Sequence, residues 1–150
     1  MIIRLQTAAG RDIPNGQDTE ISAFERNWSA ELPQTHPDAD VFPGLSPTYN
    51  CHGLTFASRR TNIGEPDAIA HILADDRYEV IDRREARAGD IIVYSKDGEP
   101  THSGIVVENE SPLFVPWIWS KWGSGPEVRH TYLDVHPVYG KDHRFFRCRV

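Results

Sequence analysis

Residues 49–55 read Tyr-Asn-Cys-His-Gly-Leu-Thr, and they place Cys51 behind a Pro/Thr/Asn turn at the predicted start of a helix. The first backbone N–H groups of a helix lack intrahelical partners, and the helix dipole is positive at this end. Both effects favour the thiolate, which is the nucleophilic form of cysteine. The dipole contributes about 0.3–2 kcal/mol, which lowers the thiol pKa by at most about 1.5 units. We therefore expect a second activating group, normally an imidazole.

A histidine at the start of a predicted strand supplies this second group. Residues 101–107 read Thr-His-Ser-Gly-Ile-Val-Val, with the imidazole at His102. A cysteine on a helix end and a histidine on a later strand are a nucleophile and its general base. The backbone N–H of Cys51 is a candidate oxyanion donor, and the Tyr49 hydroxyl is a second one. A packed or surface tyrosine explains Tyr49 equally well.

The bulk properties describe an ordinary folded domain. The 150 residues are 39% hydrophobic and 25% charged, which is typical of one soluble globular domain spanning 1–150. A formal net charge of −6 disfavours nucleic acid as a partner. No apolar run approaches the ~20 residues that a membrane span needs, and the N-terminus lacks the features of a secretory signal. We expect a cytoplasmic protein, or one exported by a specialised route, and no membrane partner.

Cysteine and histidine spacing predicts neither a disulfide scaffold nor a metal site. The two cysteines are Cys51 and Cys148, and we expect Cys148 to fill the core of the last strand, with a Cys51–Cys148 bridge as the alternative. The remaining histidines lack ligand spacing, so we expect no metal and no cofactor; they are His36, His71, His136 and His143.

Hydrophobic patterning predicts helices first and an antiparallel meander afterwards, which indicates an α+β fold. The predicted helices are 21–30, 51–60 and 65 or 66 to 74; the predicted strands are 1–6, 78–81, 91–94, 102–107, 113–119, 127–133 and 143–150. Residues 32–49 contain four prolines and are expected to be extended. The mildly basic residues 141–149 are expected to form a solvated edge strand. Residues 1–45 remain an unassigned extension that packs on the domain.

Three motifs together resemble the NlpC-type papain-like cysteine peptidases. Residues 49–54 resemble that family's aromatic-Asp-Cys-Ser-Gly-Leu motif. Residues 89–94, Gly-Asp-Ile-Ile-Val-Tyr, resemble its Gly-Asp-hydrophobic strand, and residues 101–106 resemble its Ser-His-Val-Gly-Ile strand. The order of the motifs is also the same, and the resemblance covers roughly residues 45–125. It implies a helix packed on an antiparallel half-barrel, Cys51 as nucleophile and His102 as base. Family members mostly cut amide bonds in bacterial cell-wall peptides, and relatives are amidases or acyltransferases.

This chain departs from the family pattern beside the nucleophile. Asn50 replaces the usual Asp, which removes a charge but keeps a side chain able to cap the helix. His52 replaces a small Ser, and adjacent helical residues point about 100° apart. His52 is therefore a poor base for Cys51, and we expect it to line the cleft or lie on the surface.

The residue that orients the imidazole is open. The family places a polar residue, often His, on the strand after the His strand, whereas residues 117–123 here read Trp-Ile-Trp-Ser-Lys-Trp-Gly. Ser120 and His130 are equal candidates; weaker ones are Glu108, Asn109, Asp134 and a backbone carbonyl. The tryptophans at 117, 119 and 122 either wall a substrate groove, which would include Trp119 and Trp122, or pack in the core.

The motifs thus predict a thiol hydrolase acting on a peptide or peptidoglycan-like substrate. An amine acceptor in place of water would make it an acyltransferase or transglutaminase-like enzyme, and a deamidase acting on a protein is a related alternative. The acidic charge also fits an effector toxin, which would have a cognate inhibitor protein as partner. The alternative from a different class is a binding module that keeps the fold without catalysis.

Overall fold

The computed structural model describes residues 1–149, and within them three helices and one seven-stranded sheet confirm the α+β class. The helices are α1 (Ala23–Thr35), α2 (Cys51–Ala57) and α3 (Pro66–Asp75). The strands are β1 (Asp40–Val41), β2 (Tyr78–Ile81), β3 (Ile91–Lys96), β4 (Glu99–Glu108), β5 (Trp117–Lys121), β6 (Glu127–Thr131) and β7 (Asp142–Cys148). Two short 3₁₀ helices cover Arg83–Glu85 and Pro137–Tyr139.

Helix α1 is longer than the sequence predicts. It begins after Ser22, whose hydroxyl accepts the backbone N–H of Glu25 at 3.1 Å. It then continues through Pro33 to Thr35. The prediction that residues 32–49 are extended is therefore wrong for residues 32–35, which are helical. Leu32 is buried and packs with Trp122, which holds this end of the helix against the sheet. Tertiary packing therefore overrides the proline signal.

The sheet has the strand order β1-β6-β5-β4-β3-β7-β2, and every neighbouring pair is antiparallel. The predicted strand 78–81 is confirmed, and 91–94 and 102–107 form the centre of the longer hairpin β3–β4. The prediction that 141–149 is an edge strand is wrong, because β7 lies between β3 and β2. Its Arg147 forms an ion pair with Asp90 at 2.8 Å, while Phe145 is buried.

Other predicted strands are shortened or absent. Residues 1–6 form only an isolated bridge between Gln6 and Asp12, and Ile2 is exposed, so the predicted first strand is wrong. The strand predicted from residue 113 begins only at Trp117. Strand β1 was not predicted, because two residues are too few to show alternation. Residue 150, included in the predicted last strand, lies outside the described residues.

The sheet carries apolar residues on both faces. Helices α2 and α3 cover one face, in a cluster that includes Ala57, Ile63, Ala68, Ile69, Ile72, Ile91 and Val93. The opposite face is formed by Ile92, Tyr94, Val106, Ile118 and Phe145. Alternate residues of one strand thus serve opposite faces, as the side-chain period of two requires.

Both cysteines are free thiols in the structure. Cys51 is buried, whereas Cys148 is exposed near the edge strand β2. The alternative of a Cys51–Cys148 disulfide is therefore wrong. The expectation that Cys148 fills the core is also wrong, because its pairing partner is Tyr78 on the edge strand and its sulfur lies beside the carbonyl of Asp76.

Candidate active site

The start of α2 is held by Asn50, which caps the helix as its side chain predicts. The Asn50 side-chain oxygen accepts the backbone N–H of Gly53 at 2.9 Å and that of Ile63 at 3.2 Å. Its amide nitrogen donates to the Ile63 carbonyl at 2.9 Å. Asn50 therefore both begins the helix and ties it to the segment before α3, which fixes the position of Cys51.

The Cys51 sulfur is surrounded by backbone donors. The backbone N–H groups of Ser103, His52 and Cys51 itself lie close enough to act on the thiol. Burial nevertheless raises the pKa of Cys51 to about 11, against these donors and against the positive charge of Lys121. The sequence predicts a lowered pKa from the helix dipole alone. The structure differs because the thiol is only 7% exposed, and desolvation of the thiolate outweighs the dipole.

The sulfur lies where β4 and β5 separate. The last residue pair between the two strands at this end is Ile105 with Trp119, and Ser103 lies two residues beyond it on β4. The Ser103 N–H is one of the backbone donors that act on the Cys51 thiol. Helix α2 packs on β4, so Cys51 lies on a helix beside the strand that contains His102, with no hydrogen bond between its sulfur and the imidazole.

The His102 ring is completely buried and has no polar partner. Neither ring nitrogen hydrogen-bonds to any group within residues 1–149, including the Cys51 sulfur. The ring stacks on Tyr139, with centroids 3.9 Å apart and planes 9° apart. Burial lowers the pKa of His102 well below 6.5, and the nearby His130 and His52 lower it further. His102 is therefore a neutral imidazole at pH 7.

His102 and Ser103 face opposite sides of β4. Ser103 contacts Thr55 on α2, whereas the His102 ring contacts Tyr94 and Tyr139 on the other side. This follows from the alternation of side chains along a strand.

His52 belongs to a buried relay of hydroxyl groups. Thr55 donates to the Cys51 carbonyl at 2.9 Å, so its oxygen accepts from the Ser103 hydroxyl at 2.9 Å. The Ser103 oxygen in turn must accept from His52 Nδ1–H at 2.8 Å, because its own proton is already used. Burial lowers the pKa of His52 to about 4. The relay ties α2 to β4, and His52 lies within it rather than on the surface.

Ser120 and His130, the two candidates for orienting His102, are bonded to each other. Ser120 Oγ and His130 Nε2 are 2.7 Å apart, and the Trp122 indole N–H donates to Ser120 Oγ at 2.9 Å. His130 Nδ1 lies 2.8 Å from the Thr131 carbonyl, which can only accept, so Nδ1 carries the proton. Neither side chain hydrogen-bonds to His102. Trp122 is fully buried, and its ring lies nearly perpendicular to that of His102, with the two ring centroids 6.5 Å apart.

The weaker candidates are also engaged elsewhere. Glu108 pairs with Arg129, and Asp134 pairs with His36 at 2.7 Å. The Asn109 amide donates to the carbonyls of Arg83 and Ala86 at 2.7 and 2.9 Å. Stacking on Tyr139 is thus the contact that holds the His102 ring.

A groove of about 320 Å³ opens beside the residues that precede Cys51. It is lined by the loop 42–46 together with Tyr49, Trp119, Lys121 and Glu127. Phe42 stacks on Trp119 with centroids 4.5 Å apart, and both side chains are partly exposed. Trp119 therefore lines a groove, whereas Trp122 lies in the core.

Glu127 organises the polar wall of this groove. It accepts hydrogen bonds from Arg59 Nε and Nη2 at 2.7 and 2.9 Å, from the Tyr49 hydroxyl and from the Trp119 indole. The Arg59 hydrogen bond is the main reason that the pKa of Glu127 falls to about 2. Burial, and then the Glu127 hydrogen bond, raise the pKa of Tyr49 to about 12. The single Tyr49 proton is committed to Glu127.

Sequence reasoning did not single out Lys121, Glu127 or Phe42. Lys121 lies two residues after Trp119 on β5, and side chains two apart on a strand point to the same face. This spacing is the one signal in the sequence that the two side chains lie together. Within residues 1–149, no cluster of three or more His, Cys, Asp and Glu side chains is arranged to hold a metal ion. No helix in this part of the chain has the length and apolar character needed to cross a membrane.

Fold and site together define an α+β protein with a buried helix-terminal cysteine next to a histidine-bearing strand. No family profile matches this chain, and neither a curated protein nor a solved structure matches it.

Proposed function

We propose that the protein is a thiol hydrolase that cleaves an amide bond through an acyl-enzyme on Cys51, with His102 as general base. The observation that carries the proposal is the position of Cys51 at the N-terminus of α2, on a helix that packs against the strand β4 containing His102. One helix end and one strand then contribute the nucleophile, the base and backbone donors for an oxyanion.

The resting protonation states set the order of events. Cys51 rests as a thiol and His102 as a neutral imidazole, because burial disfavours the charged form of each. His102 therefore takes the thiol proton as sulfur attacks the substrate carbonyl. Both ring nitrogens of His102 lack another partner among residues 1–149, so no existing hydrogen bond has to break.

The reaction takes two steps. In the first step the carbon–sulfur bond forms and negative charge develops on the carbonyl oxygen; the carbon–nitrogen bond then breaks, and His102 gives the proton to the departing amine. The proposed oxyanion donors are the backbone N–H groups of Cys51 and Ser103. In the second step water attacks the thioester and His102 takes a proton from the water; the carbon–sulfur bond then breaks, the carboxylic acid leaves, and His102 gives the proton back to the Cys51 sulfur.

We further propose that the sheet is a divergent papain-like half-barrel of the NlpC type. The order of elements supports this proposal: α2 begins at Cys51, Asp90 precedes β3, and His102 lies on β4. Helix α2 also packs on β4 and β5.

The proposed substrate is a peptide, and peptidoglycan stem peptides follow from the resemblance alone. A net charge of −6 provides no attraction to an anionic cell wall. The charge therefore also fits an effector toxin with a cognate inhibitor, acting on a cytoplasmic protein. Transfer of the acyl group to an amine, or deamidation of a protein side chain, uses the same acyl-enzyme.

A second candidate function is a binding module without catalysis. The burial of Cys51 and the missing hydrogen bond between its sulfur and His102 favour it. In that case the groove between Phe42 and Trp119 would bind a peptide without reaction.

Mass spectrometry of treated substrates tests the proposal. Peptidoglycan and cell-lysate proteins are incubated with the wild type, with Cys148→Ser and with Cys51→Ser. New peptide termini indicate a hydrolase, amine adducts a transferase, and a 1 Da gain at Gln or Asn a deamidase. We expect one of these products with the first two proteins and none with Cys51→Ser. Equal product with Cys51→Ser, or no product from any protein, contradicts the proposal.

A further inference from the structure

Lys121 is a buried cation to which the proposed reaction assigns no role. The residue is only 1% exposed, although lysine is rarely buried without partners. Its ammonium donates to the Ser46 carbonyl at 2.9 Å and to the Gly123 carbonyl at 2.7 Å. Carbonyl oxygens accept only, so both bonds require N–H donors from Lys121, and they favour its charged form.

The same ammonium lies over an aromatic ring next to the nucleophile. Lys121 Nζ is 4.7 Å from the ring centroid of Tyr49, within the range of a cation–π contact. Ser46 and Tyr49 belong to the loop that leads directly into Cys51. Lys121 therefore joins this loop to the turn between β5 and β6, which contains Gly123.

Strand register places Lys121 at the same end of the sheet as the Cys51 sulfur. Ile105 is paired with Trp119, and two residues further along each strand, on the same face, are Ser103 and Lys121. The Ser103 N–H acts on the Cys51 thiol at this end, and α2 packs on both β4 and β5. The positive charge of Lys121 lowers the pKa of Cys51 against the effect of burial, so the two side chains interact electrostatically.

Two carboxylates, Glu127 and Glu25, also act on Lys121 and raise its pKa against burial. Glu127 is itself paired with Arg59 at 2.7 Å, and a side-chain oxygen of Glu25 faces the Ser124 N–H at 3.4 Å.

We propose that Lys121 is a positioning residue of the Cys51 site, which fixes the loop before the nucleophile and stabilises negative charge on the sulfur during attack. This inference rests on the proposed function, because it assigns Lys121 a role only if the sulfur becomes anionic. It extends the site from the helix end and the His strand to β5.

Alkylation with a neutral and an anionic reagent tests this role. Iodoacetamide and iodoacetate are compared at Cys51 at pH 7 in a Cys148→Ser background. Both rate constants are proportional to the fraction of Cys51 present as thiolate, so this fraction cancels in their ratio. The ratio therefore reports the charge near the sulfur. We expect Lys121→Met to lower the iodoacetate-to-iodoacetamide ratio at least about threefold, and Lys121→Arg to retain it. Lys141→Met, at an exposed lysine, is the matched control.

The outcomes separate the two proposals. A reactive Cys51 whose ratio is the same in Lys121→Met, in a folded variant, overturns the role of Lys121 and leaves the hydrolase proposal standing. Absence of any reaction at Cys51 in the Cys148→Ser protein contradicts the hydrolase proposal, and the Lys121 inference fails with it.

A wild-type measurement covers the case in which the Lys121 variants do not fold. Burial lowers the pKa of Lys121 to about 8, so its charge is lost between pH 7 and pH 9.5. We expect the iodoacetate-to-iodoacetamide ratio at Cys51 to fall at least about threefold over this range. The exposed Cys148 of the same molecule is the internal reference and should keep a constant ratio. An iodoacetate-to-iodoacetamide ratio that changes with pH in the same way at Cys51 and Cys148 overturns the inference.

Discussion

Asn50 and Ile63 are joined by two hydrogen bonds: the Asn50 side-chain oxygen accepts the Ile63 N–H at 3.2 Å, and its amide nitrogen donates to the Ile63 carbonyl at 2.9 Å. These bonds fix the start of α2, and with it Cys51, relative to the segment before α3. The site thus depends on how closely α2 approaches the rest of the domain and on what holds it there.

Replacing Ser103 by alanine should reduce stability without changing the reactivity of Cys51. The substitution removes the acceptor for His52 Nδ1–H and the donor to Thr55, both in the buried relay. We expect unfolding free energy to fall by about 1–3 kcal/mol, measured by urea denaturation. Iodoacetamide reactivity of Cys51 should change by less than about threefold, because the backbone N–H remains. Ser95→Ala is the control for a strand serine, and an unchanged stability in Ser103→Ala would contradict the relay.

Gly53→Ala should disrupt the packing of α2. An added Cβ would lie 1.9 Å from the Thr61 carbonyl oxygen, a backbone atom that cannot rotate away. We expect a loss of about 3 kcal/mol or failure to fold, measured by urea denaturation. Gly64→Ala is the matched control, because nothing lies within 4 Å of its added Cβ. A Gly53→Ala protein as stable as Gly64→Ala would show that α2 does not approach this segment so closely.

Buried histidines should make stability fall as the solution is acidified. Burial lowers the pKa of His52 and of His130 to about 4, and that of His102 well below 6.5. The folded state therefore binds fewer protons than the unfolded state below pH 6.5. Stability should therefore fall below about pH 6.5, by up to about 1.4 kcal/mol per pH unit for each histidine.

Urea denaturation midpoints between pH 8 and 5 measure this loss of stability. In His130→Gln the slope of unfolding free energy against pH should decrease by the contribution of one bound proton. Glu127 contributes little to the change between pH 8 and 5. The Arg59 hydrogen bond lowers its pKa to about 2, so the stability that ionised Glu127 provides is lost only below about pH 4.5. Stability that is flat from pH 7 to 5 would show that these histidines are not held neutral.

Glu127→Gln should release the Tyr49 hydroxyl. Burial and the hydrogen bond to Glu127 raise the pKa of Tyr49 to about 12. Removing the carboxylate charge should lower the pKa of Tyr49 by about one unit. Ultraviolet absorbance of tyrosinate, recorded as the pH is raised, measures this change. Glu79→Gln, at an exposed residue paired with Arg149, is the control. An identical tyrosine titration in Glu127→Gln and the wild type would contradict the assigned bond.

Local patterns in the sequence predicted the elements that surround the site. The Pro66 start and the Ile69–Ile72 spacing predicted α3, and the apolar run 91–94 predicted β3. These signals are local, because a helix or a buried strand shows its own period. Asn50 was likewise recognisable as the cap of α2 from its side chain alone.

Long-range relationships could not be predicted in the same way. The placement of β7 between β3 and β2 depends on pairing across many residues, which no local period encodes. The burial of Cys51 depends on packing against β4, so the desolvation that raises its pKa was invisible in the sequence. The burial of Lys121 likewise depends on two carbonyl partners from separate loops, Ser46 and Gly123, which no local period encodes.

Acylation of Cys51 by a small activated ester tests the central claim most directly. p-Nitrophenyl acetate is added at pH 7 to the wild type, to His102→Gln and to the control His71→Gln, and acetylation of each cysteine is followed by mass spectrometry. General-base catalysis contributes about 10²–10⁴-fold, so we predict acetylation of Cys51 at least about a hundredfold slower in folded His102→Gln and unchanged in His71→Gln. Equal rates in the wild type and His102→Gln, or acetylation of Cys148 alone, would contradict a Cys51 nucleophile served by His102.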